Sequence, residues 1–338
     1  MKPLHIAYFF EDTELAGGLR IAIGQADGLT ARGHDVTLIT KGGPLSWRKS
    51  DAKWEYVDSF DDADLSPFEF VIGTFWKTLP FVHRLAGSRG IHLCQGYEGS
   101  FTAYRDIKPQ IDAAYRLPLP KITISPHLTE LCKQFNDDAQ YVGPVLDDIF
   151  FREPNLARPD DGTPMRVLLV GPMQADFKGL DVGYDAVRRA RARGAQFDLV
   201  RVSQWPAADD EPATLASEFH IGLKSPEMAR LYSSCHVFLG PSRHQEGFGL
   251  PAGESMASGI ATVLSAIPSF LSFDPTHDYA LFTPEDDGTA MGDALVTILA
   301  DEPLRRRTAL RGRQVVEQFR AHHTALRMER YFFDRRAR

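Results

Sequence analysis

Apolar residues in this chain fall into short unbroken runs separated by stretches of helical character. That is the pattern of buried parallel strands joined by helices. The first run, Leu4–Phe10 (LHIAYFF), leads into a loop ending in Gly17–Gly18, then a helix-like segment to Arg32 stopped by Gly33, then a second run, Val36–Thr40 (VTLIT). Together they make one strand–helix–strand unit. Further strands of this half are expected at Phe70–Gly73, Ile91–Cys94, Ile122–Ser125 and Gln140–Val142. The pattern restarts at Arg166–Val170 (RVLLV), with a second glycine loop and a helix over Leu180–Arg193 that Gly194 caps. Strands at Phe197–Val202, Val237–Leu239 and Ala261–Leu264 follow. Between the halves, Phe151–Pro164 is rich in Pro, Asp and Gly and has no apolar period, as a linker would. The Arg-rich end from Arg305 reads as helical, with Val315, Val316, Phe319 and Leu326 near helical spacing. No repeat of solenoid length is visible.

The expected fold is α/β, with two Rossmann-like, doubly wound parallel-sheet domains. They cover residues 1–150 and 165–315, joined by a linker at 151–164, and a basic helix at 316–338 packs back toward the first. A length of 338 residues suits two domains of ordinary size. The net charge of −7 argues against a nucleic-acid partner, but it is unevenly spread. Residues 305–338 hold eleven Arg against Glu317, Glu329 and Asp334, a net +8 that leaves −15 on the remainder. Such a tail is either a solvated helix face or a contact for an anionic membrane surface or acidic partner. Cys94, Cys132 and Cys235 lie far apart with no metal-ligand spacing, which points to a reducing compartment and no structural zinc. The apolar start, Met1–Phe10, meets Glu11 and Asp12 too soon for a signal peptide, and no run approaches the roughly 18 apolar residues of a membrane span. A cytoplasmic protein, at most peripheral at the membrane, is expected.

The most informative stretch is Pro241–Gly259, PSRHQEGFGLPAGESMASG. Pro251 suits the first turn of a helix and Gly259 its stop, so Glu246 should lie in the preceding loop and Glu254 in the first turn. The amides of Phe248, Gly249 and Leu250 would then face an anion at a helix N-terminus. Carboxylates accept well from vicinal sugar hydroxyls, so such a loop can hold a phosphate and a sugar together. An ordinary loop with surface glutamates is the competing reading.

This stretch resembles the E-x7-E signature of retaining glycosyltransferases of family four, which have the two-Rossmann-domain GT-B fold. Gly17–Thr40 resembles that family's first glycine loop, helix and second strand. Phe177–Val187 (FKGLDVGYDAV) resembles its Lys-Gly segment, Glu227–Ser242 its strand into the E-x7-E loop, and Gly143–Phe150 its turn before the linker. The resemblance implies that Glu254 binds the ribose hydroxyls and that Glu246 contacts the donor sugar. It also implies that Lys178 pairs with the donor diphosphate, which backbone amides at Gly17–Gly18 approach. His220–Leu223 (HIGL) resembles the turn whose backbone reads the nucleobase.

Two departures stand out. Where the family carries an Arg after the glycine that closes the first strand of the second domain, Gly171 is followed by Pro172. Arg201, just after a strand over Phe197–Val200, and Arg243 are the candidate replacement cations. Where many members carry a His that touches the donor sugar, this chain has Gln95, Gly96, Tyr97 and Glu98. That variant resembles a subset that includes bacterial polysaccharide rhamnosyltransferases. Gln95 and Tyr97 are expected on the acceptor side. Glu98 either orients an acceptor hydroxyl, shares charge with the leaving site, or is only a helix-start carboxylate. Asp62–Ala63–Asp64 has metal-binding DxD spacing but sits in an acidic loop without nucleotide-binding context, and GPMQADFKG lacks P-loop spacing.

The resemblance thus implies a retaining, metal-independent enzyme without a cofactor, moving a sugar from a nucleotide-sugar donor to a glycan or lipid-linked acceptor. A nucleotide-sugar epimerase of similar fold and a catalytically silent sugar-binding partner are the alternatives. An NAD-dependent dehydrogenase is disfavoured because neither glycine loop reads G-x-G-x-x-G.

Overall fold

The strand β1 (His5–Phe10) is almost wholly buried and lies inside a sheet that extends from it on both sides. A computed structural model describes residues 2–136, 138–151 and 163–337. They separate into two compact units, residues 1–147 with 318–338, and residues 148–317. In the first unit, β2 (Asp35–Thr40), β3 (Lys53–Tyr56), β4 (Phe70–Gly73), β5 (Gly90–Cys94), β6 (Lys121–Thr123) and β7 (Ala139–Tyr141) complete a seven-stranded sheet of order β3-β2-β1-β4-β5-β6-β7. Every pairing in it is parallel. Parallel strands covered on both faces must be apolar throughout, which is why LHIAYFF carries no alternation. Helices α1 (Gly17–Ala31), α2 (Leu79–Ala86), α3 (Lys108–Tyr115) and α4 (Pro126–Cys132) make the crossovers, with 3-10 turns among them.

The second unit repeats the plan with six parallel strands. These are β8 (Met165–Val170), β9 (Phe197–Ser203), β10 (Glu218–Ile221), β11 (Val237–Gly240), β12 (Ala261–Ser265) and β13 (Leu281–Thr283), in the order β10-β9-β8-β11-β12-β13. Its helices are α5 (Leu180–Ala192), α6 (Ser225–Ser234), α7 (Leu250–Ala257), α8 (Pro268–Leu271), α9 (Gly288–Ala300) and α10 (Glu302–Val316). Its core joins Val167 and Leu169 of β8, Leu239 of β11 and Val263 of β12 to Tyr184 and Val187 of α5 and Leu295 of α9. In both sheets the order reverses beside the first strand, at the β1/β4 and β8/β11 junctions. Such switch points leave a crevice at the carboxyl ends of the strands, where ligands bind open α/β sheets.

The Arg-rich end forms two helices, not one. After α10 the chain breaks at a 3-10 turn, Glu317–Phe319, and α11 (Ala321–Arg336) returns to the first unit against α1. Arg32 Nε donates to Glu329 Oε2 at 3.1 Å, His34 Nε2 lies 3.1 Å from Glu329 Oε1, and Thr324 Oγ1 donates to the Pro144 carbonyl at 2.6 Å. Much of the tail's positive charge is engaged within the fold. Arg305 caps the Ile298 and Leu299 carbonyls, Arg327 the Val142 carbonyl, and Arg311, Arg335 and Arg336 meet Asp278, Asp138 and Glu69.

Three strands escape the apolar-run reading: β3 (KWEY), β10 (EFHI) and β13 (LFT). Each is short and lies at or near a sheet edge, so its pairing is imposed by a neighbour and not announced by its own composition. Most of the expected linker, residues 152–162, lies outside the described residues.

Candidate functional site

Two loops of the second unit converge at the carboxyl ends of β8 and β11. The first leaves β8 at Gly171 and forms a 3-10 turn, Asp176–Lys178, before α5. Between that turn and the helix, Gly179 has φ +62°, and a Cβ there would lie 2.0 Å from the Pro241 carbonyl oxygen. Only glycine lets the two loops approach this closely. The second loop runs from Pro241 to Gly249. Its Arg243 ties the loops together: the backbone N–H donates to the Phe177 carbonyl at 2.7 Å, and the guanidinium bonds Asp181 and Asp286 at 2.7 Å each and the Asp176 carbonyl. Arg243 therefore serves as a clamp on the Lys178 turn, with two carboxylates already on its guanidinium.

The clamp fixes a charged pair. Lys178 Nζ lies 2.7 Å from Glu246 Oε2, which also accepts from Ser242 Oγ at 3.0 Å, and Glu246 is only 7% exposed. Beyond it, Gly249 has φ +84° at the head of α7, where a Cβ would lie 2.3 Å from the Phe270 ring. Phe248 packs against Phe273, with ring centroids 4.7 Å apart. Leu250 and Pro251 open the helix; Pro251 has no N–H, Ala252 and Gly253 donate to the Gly249 carbonyl at 3.0 and 3.2 Å, and the N-terminus carries the positive end of the helix dipole. Glu254 is 2% exposed and accepts from Tyr232 Oη of α6 at 2.9 Å. It sits in the second turn of α7, not the first as expected: the helix starts at Leu250, so Glu254 is its fifth residue, and a turn holds 3.6.

Arg201 is not a replacement cation facing a ligand. β9 continues to Ser203, so Arg201 lies inside the strand, 0% exposed. Its Nε donates to Glu211 Oε1 at 2.9 Å and to Tyr184 Oη at 3.2 Å, and its Nη1 meets the Leu169 and Val202 carbonyls. It belongs to a buried network that fastens α5 to β9. His220–Leu223 also differs from a simple turn: His220 and Ile221 end β10, and the turn begins at Gly222, φ +65°.

The remaining predicted residues lie in the first unit. Gly17 and Gly18 open α1, and a Cβ on Gly18 would come within 3.2 Å of the Gln95 amide nitrogen. Gln95 Nε2 donates to the Thr74 carbonyl at 3.3 Å. Tyr97 donates to Asp112 and accepts from Lys108 Nζ at 2.8 Å. Glu98 starts a 3-10 turn, Glu98–Ser100, and its Oε2 lies 2.5 Å from Tyr115 Oη at the end of α3. Burial pushes the Glu98 carboxyl up to about 7, with the Tyr115 contact opposing it. Tyr115 and Tyr232 were not singled out from sequence; each ends or lines a helix as an ordinary core residue would. The Asp62 and Asp64 carboxylates accept from the Ser59 and Ser66 amides at 3.1 and 2.9 Å, so the DxD spacing serves local turns. Among the described residues, no group of three or more His, Cys, Asp or Glu side chains is placed to hold a metal ion, and no helix is long and apolar enough to cross a membrane.

The chain is similar to known proteins in sequence and in fold. Residues 164–301, less than half of the chain, match the family described as Glycosyl transferases group 1. The uncharacterized glycosyltransferase YqgM of Bacillus subtilis is 36% identical over 112 residues, 32% of this chain and 30% of that protein. The phosphatidyl-myo-inositol mannosyltransferase of Mycobacterium tuberculosis is 25% identical over 170 residues, 47% of this chain and 45% of that one. The chain thus spans under half the length of these curated relatives. In fold the likeness extends over nearly the whole chain. The structure of Anabaena HepE in complex with UDP-glucose superimposes with a TM-score of 0.78 at 12% identity, covering 98% of this chain and 100% of that one. The architecture of two parallel-sheet α/β units is that of the GT-B glycosyltransferases.

Proposed function

We propose that this protein is a retaining glycosyltransferase, working without a metal ion or cofactor. It moves a sugar from a nucleoside-diphosphate sugar to a glycan or lipid-linked acceptor, in bacterial surface polysaccharide assembly. The observation that carries the reading is the clamped Lys178–Glu246 pair beside the N-terminus of α7, with the enclosed Glu254 one turn further on. The match of residues 164–301 to group 1 glycosyl transferases and the UDP-glucose complex of a protein of the same fold support it.

In this reading Glu254 takes the ribose hydroxyls, Glu246 a hydroxyl of the donor sugar, and Lys178 with the α7 amides the diphosphate. A carboxylate already bonded to an ammonium can hand that cation to an arriving phosphate and keep its own oxygens for sugar hydroxyls. As the glycosidic bond breaks, negative charge grows on the departing diphosphate, and fixed donors aimed at it lower the barrier. The acceptor hydroxyl attacks from the leaving-group face and gives its proton to a phosphate oxygen, so no enzyme nucleophile is required. Acceptor binding belongs to the first unit, through Gln95, Tyr97 and Glu98. The part of the basic tail not engaged within the fold gives a peripheral contact with an anionic membrane.

The test is a thermal-shift screen over nucleoside-diphosphate sugars, since a ligand that binds only the folded state raises its melting point. One donor is expected to stabilise the wild type and not Glu254→Ala. No shift with any of them, or equal shifts in both proteins, would remove the donor site.

A further inference from the structure

Glu246 is held by only one of its two oxygens. Its Oε2 takes both the Lys178 ammonium at 2.7 Å and the Ser242 hydroxyl at 3.0 Å, while its Oε1 has no hydrogen-bond partner among the described residues. A carboxylate oxygen offers two acceptor sites, so Oε2 is filled and Oε1 is open on both.

Both donors hang from the same pair of loops. Pro241 and Arg243, on either side of Ser242, are fastened to the Lys178 turn: the Pro241 carbonyl lies against Gly179, and the Arg243 N–H donates to the Phe177 carbonyl at 2.7 Å. Ser242 is buried, and its hydroxyl donates to no other group among the described residues, so its one proton is committed to Glu246. The Lys178 stem crosses Gly171, where a Cβ would come within 3.2 Å of Lys178 Cγ, and Nζ stands 5.0 Å from the centre of the Phe177 ring.

An arriving diphosphate acts differently on the two donors. It draws the ammonium, a point charge at the end of a flexible stem. The serine hydroxyl is neutral, sits on a one-carbon stem at the end of β11 and cannot follow. The last torsion of a glutamate is broad and nearly two-fold, so a carboxylate that has lost its cation turns unless another donor marks one of its oxygens. Once Lys178 has moved, Ser242 is the side chain left to do so.

We infer that Ser242 is a positioning residue: it keeps the Glu246 carboxylate in one orientation after Lys178 turns to the diphosphate, so that Oε1 receives the sugar hydroxyl. This rests on the donor reading given above. Lys178 moves with the ligand and Ser242 stays. Ser242 touches no part of the substrate, and all that it contributes passes through Glu246. Its loss therefore lowers turnover and leaves nucleotide binding unchanged.

The test compares wild type with Ser242→Ala and with Ser242→Cys, which keeps the volume but is a weak donor. The donor probe is UDP-glucose, or whichever nucleoside-diphosphate sugar of the thermal-shift panel stabilises the protein. In both variants kcat, read as release of nucleoside diphosphate, is expected to fall about 10- to 100-fold, as for a misaimed group. Calorimetry with the nucleoside diphosphate alone should give a level Kd, and Ser242→Thr, which retains the hydroxyl, should turn over close to wild type. Two further readouts separate positioning from a merely structural role. Ser242→Ala added to Glu246→Ala should lower kcat no further; an additional fall of about ten-fold would mean that Ser242 acts other than through Glu246 and would overturn the inference. Among monodeoxy analogues of the donor sugar, wild type should lose most rate with one, and Ser242→Ala should narrow that gap; an undiminished gap also counts against it. If Ser242→Ala does not fold, Ser242→Cys carries the same comparisons. A wild-type protein that binds no nucleoside-diphosphate sugar fails the glycosyltransferase reading and this inference with it. One that turns over its donor equally well with and without the Ser242 hydroxyl fails this inference alone.

Discussion

Replacing Lys178 by Gln separates what this side chain does for the fold from what it does for the chemistry. In the resting protein its ammonium is the cation on a carboxylate that is 7% exposed, 2.7 Å away. Without it Glu246 keeps only the Ser242 hydroxyl at 3.0 Å as a side-chain donor. A hydrogen bond to a charged group is worth about 1.5–3 kcal/mol, and Lys178 is 18% exposed, so solvent replaces little of it. Lys178→Gln should therefore lose about 2 kcal/mol of unfolding free energy. In Lys178→Gln with Glu246→Gln both charges are gone and two amides can pair, so most of that loss should return, a coupling of about 1–2 kcal/mol. Turnover should not follow. A cation that neutralises the departing diphosphate has no substitute in either variant, and loss of one such donor costs about 2.7–4 kcal/mol, a fall of about 100- to 1,000-fold in kcat. Urea unfolding followed by tryptophan fluorescence reads the first effect, and release of nucleoside diphosphate reads the second. A kcat within about three-fold of wild type in the single variant, or recovery of kcat along with stability in the double, would refute the assignment of Lys178 to the leaving group.

Other outcomes follow from the same geometry. Glu254→Ala should weaken donor binding, measured by calorimetry, whereas Glu246→Ala should mainly lower kcat; the reverse pattern would exchange their roles. Arg201→Met leaves the Glu211 carboxylate buried without its cation and should cost about 3–5 kcal/mol in urea unfolding, while Arg201→Met with Glu211→Leu should recover much of it. Gly249→Ala puts a methyl group against the Phe270 ring at a positive φ and should lower stability by at least about 1–2 kcal/mol as well as donor affinity. Burial works against ionisation of Glu329, but Arg32 and then His34 outweigh it and hold its carboxyl below the usual range. Stability from this group is therefore present above the unfolded carboxyl's pKa, about 4.3, and is lost as pH falls below it through the folded value. Acid unfolding of Glu329→Gln should be less steep in that window, and an identical acid limb would remove the α1–α11 ion pair from the account.

What could be read from the chain follows from how each element earns its stability. LHIAYFF and RVLLV are buried on both faces, so their composition alone marks them as central strands. LFT and EFHI are held by neighbours, and nothing local distinguishes them from loop. Lys178 and Glu246 lie 68 residues apart; motif order singled out each of them but not their pairing, because a lone lysine carries no signal of its partner. Arg201 was misread as a strand-end cation although the strand expected over Phe197–Val202 already contains it; β9 runs to Ser203 and the side chain enters a core network. Tyr115 had no signature at all: it differs from any buried tyrosine only in the two oxygens that face its hydroxyl.

The return of α11 to α1 makes the first unit discontinuous, with residues 148–317 inserted into it. A ribosome must therefore finish the inserted unit before the first can close over its Arg32 and His34 side chains. During synthesis residues 1–147 wait with the α1 face bare, so a stop codon before Ala321 would strip the opening half of the molecule, far upstream of the lesion, and leave the later sheet whole.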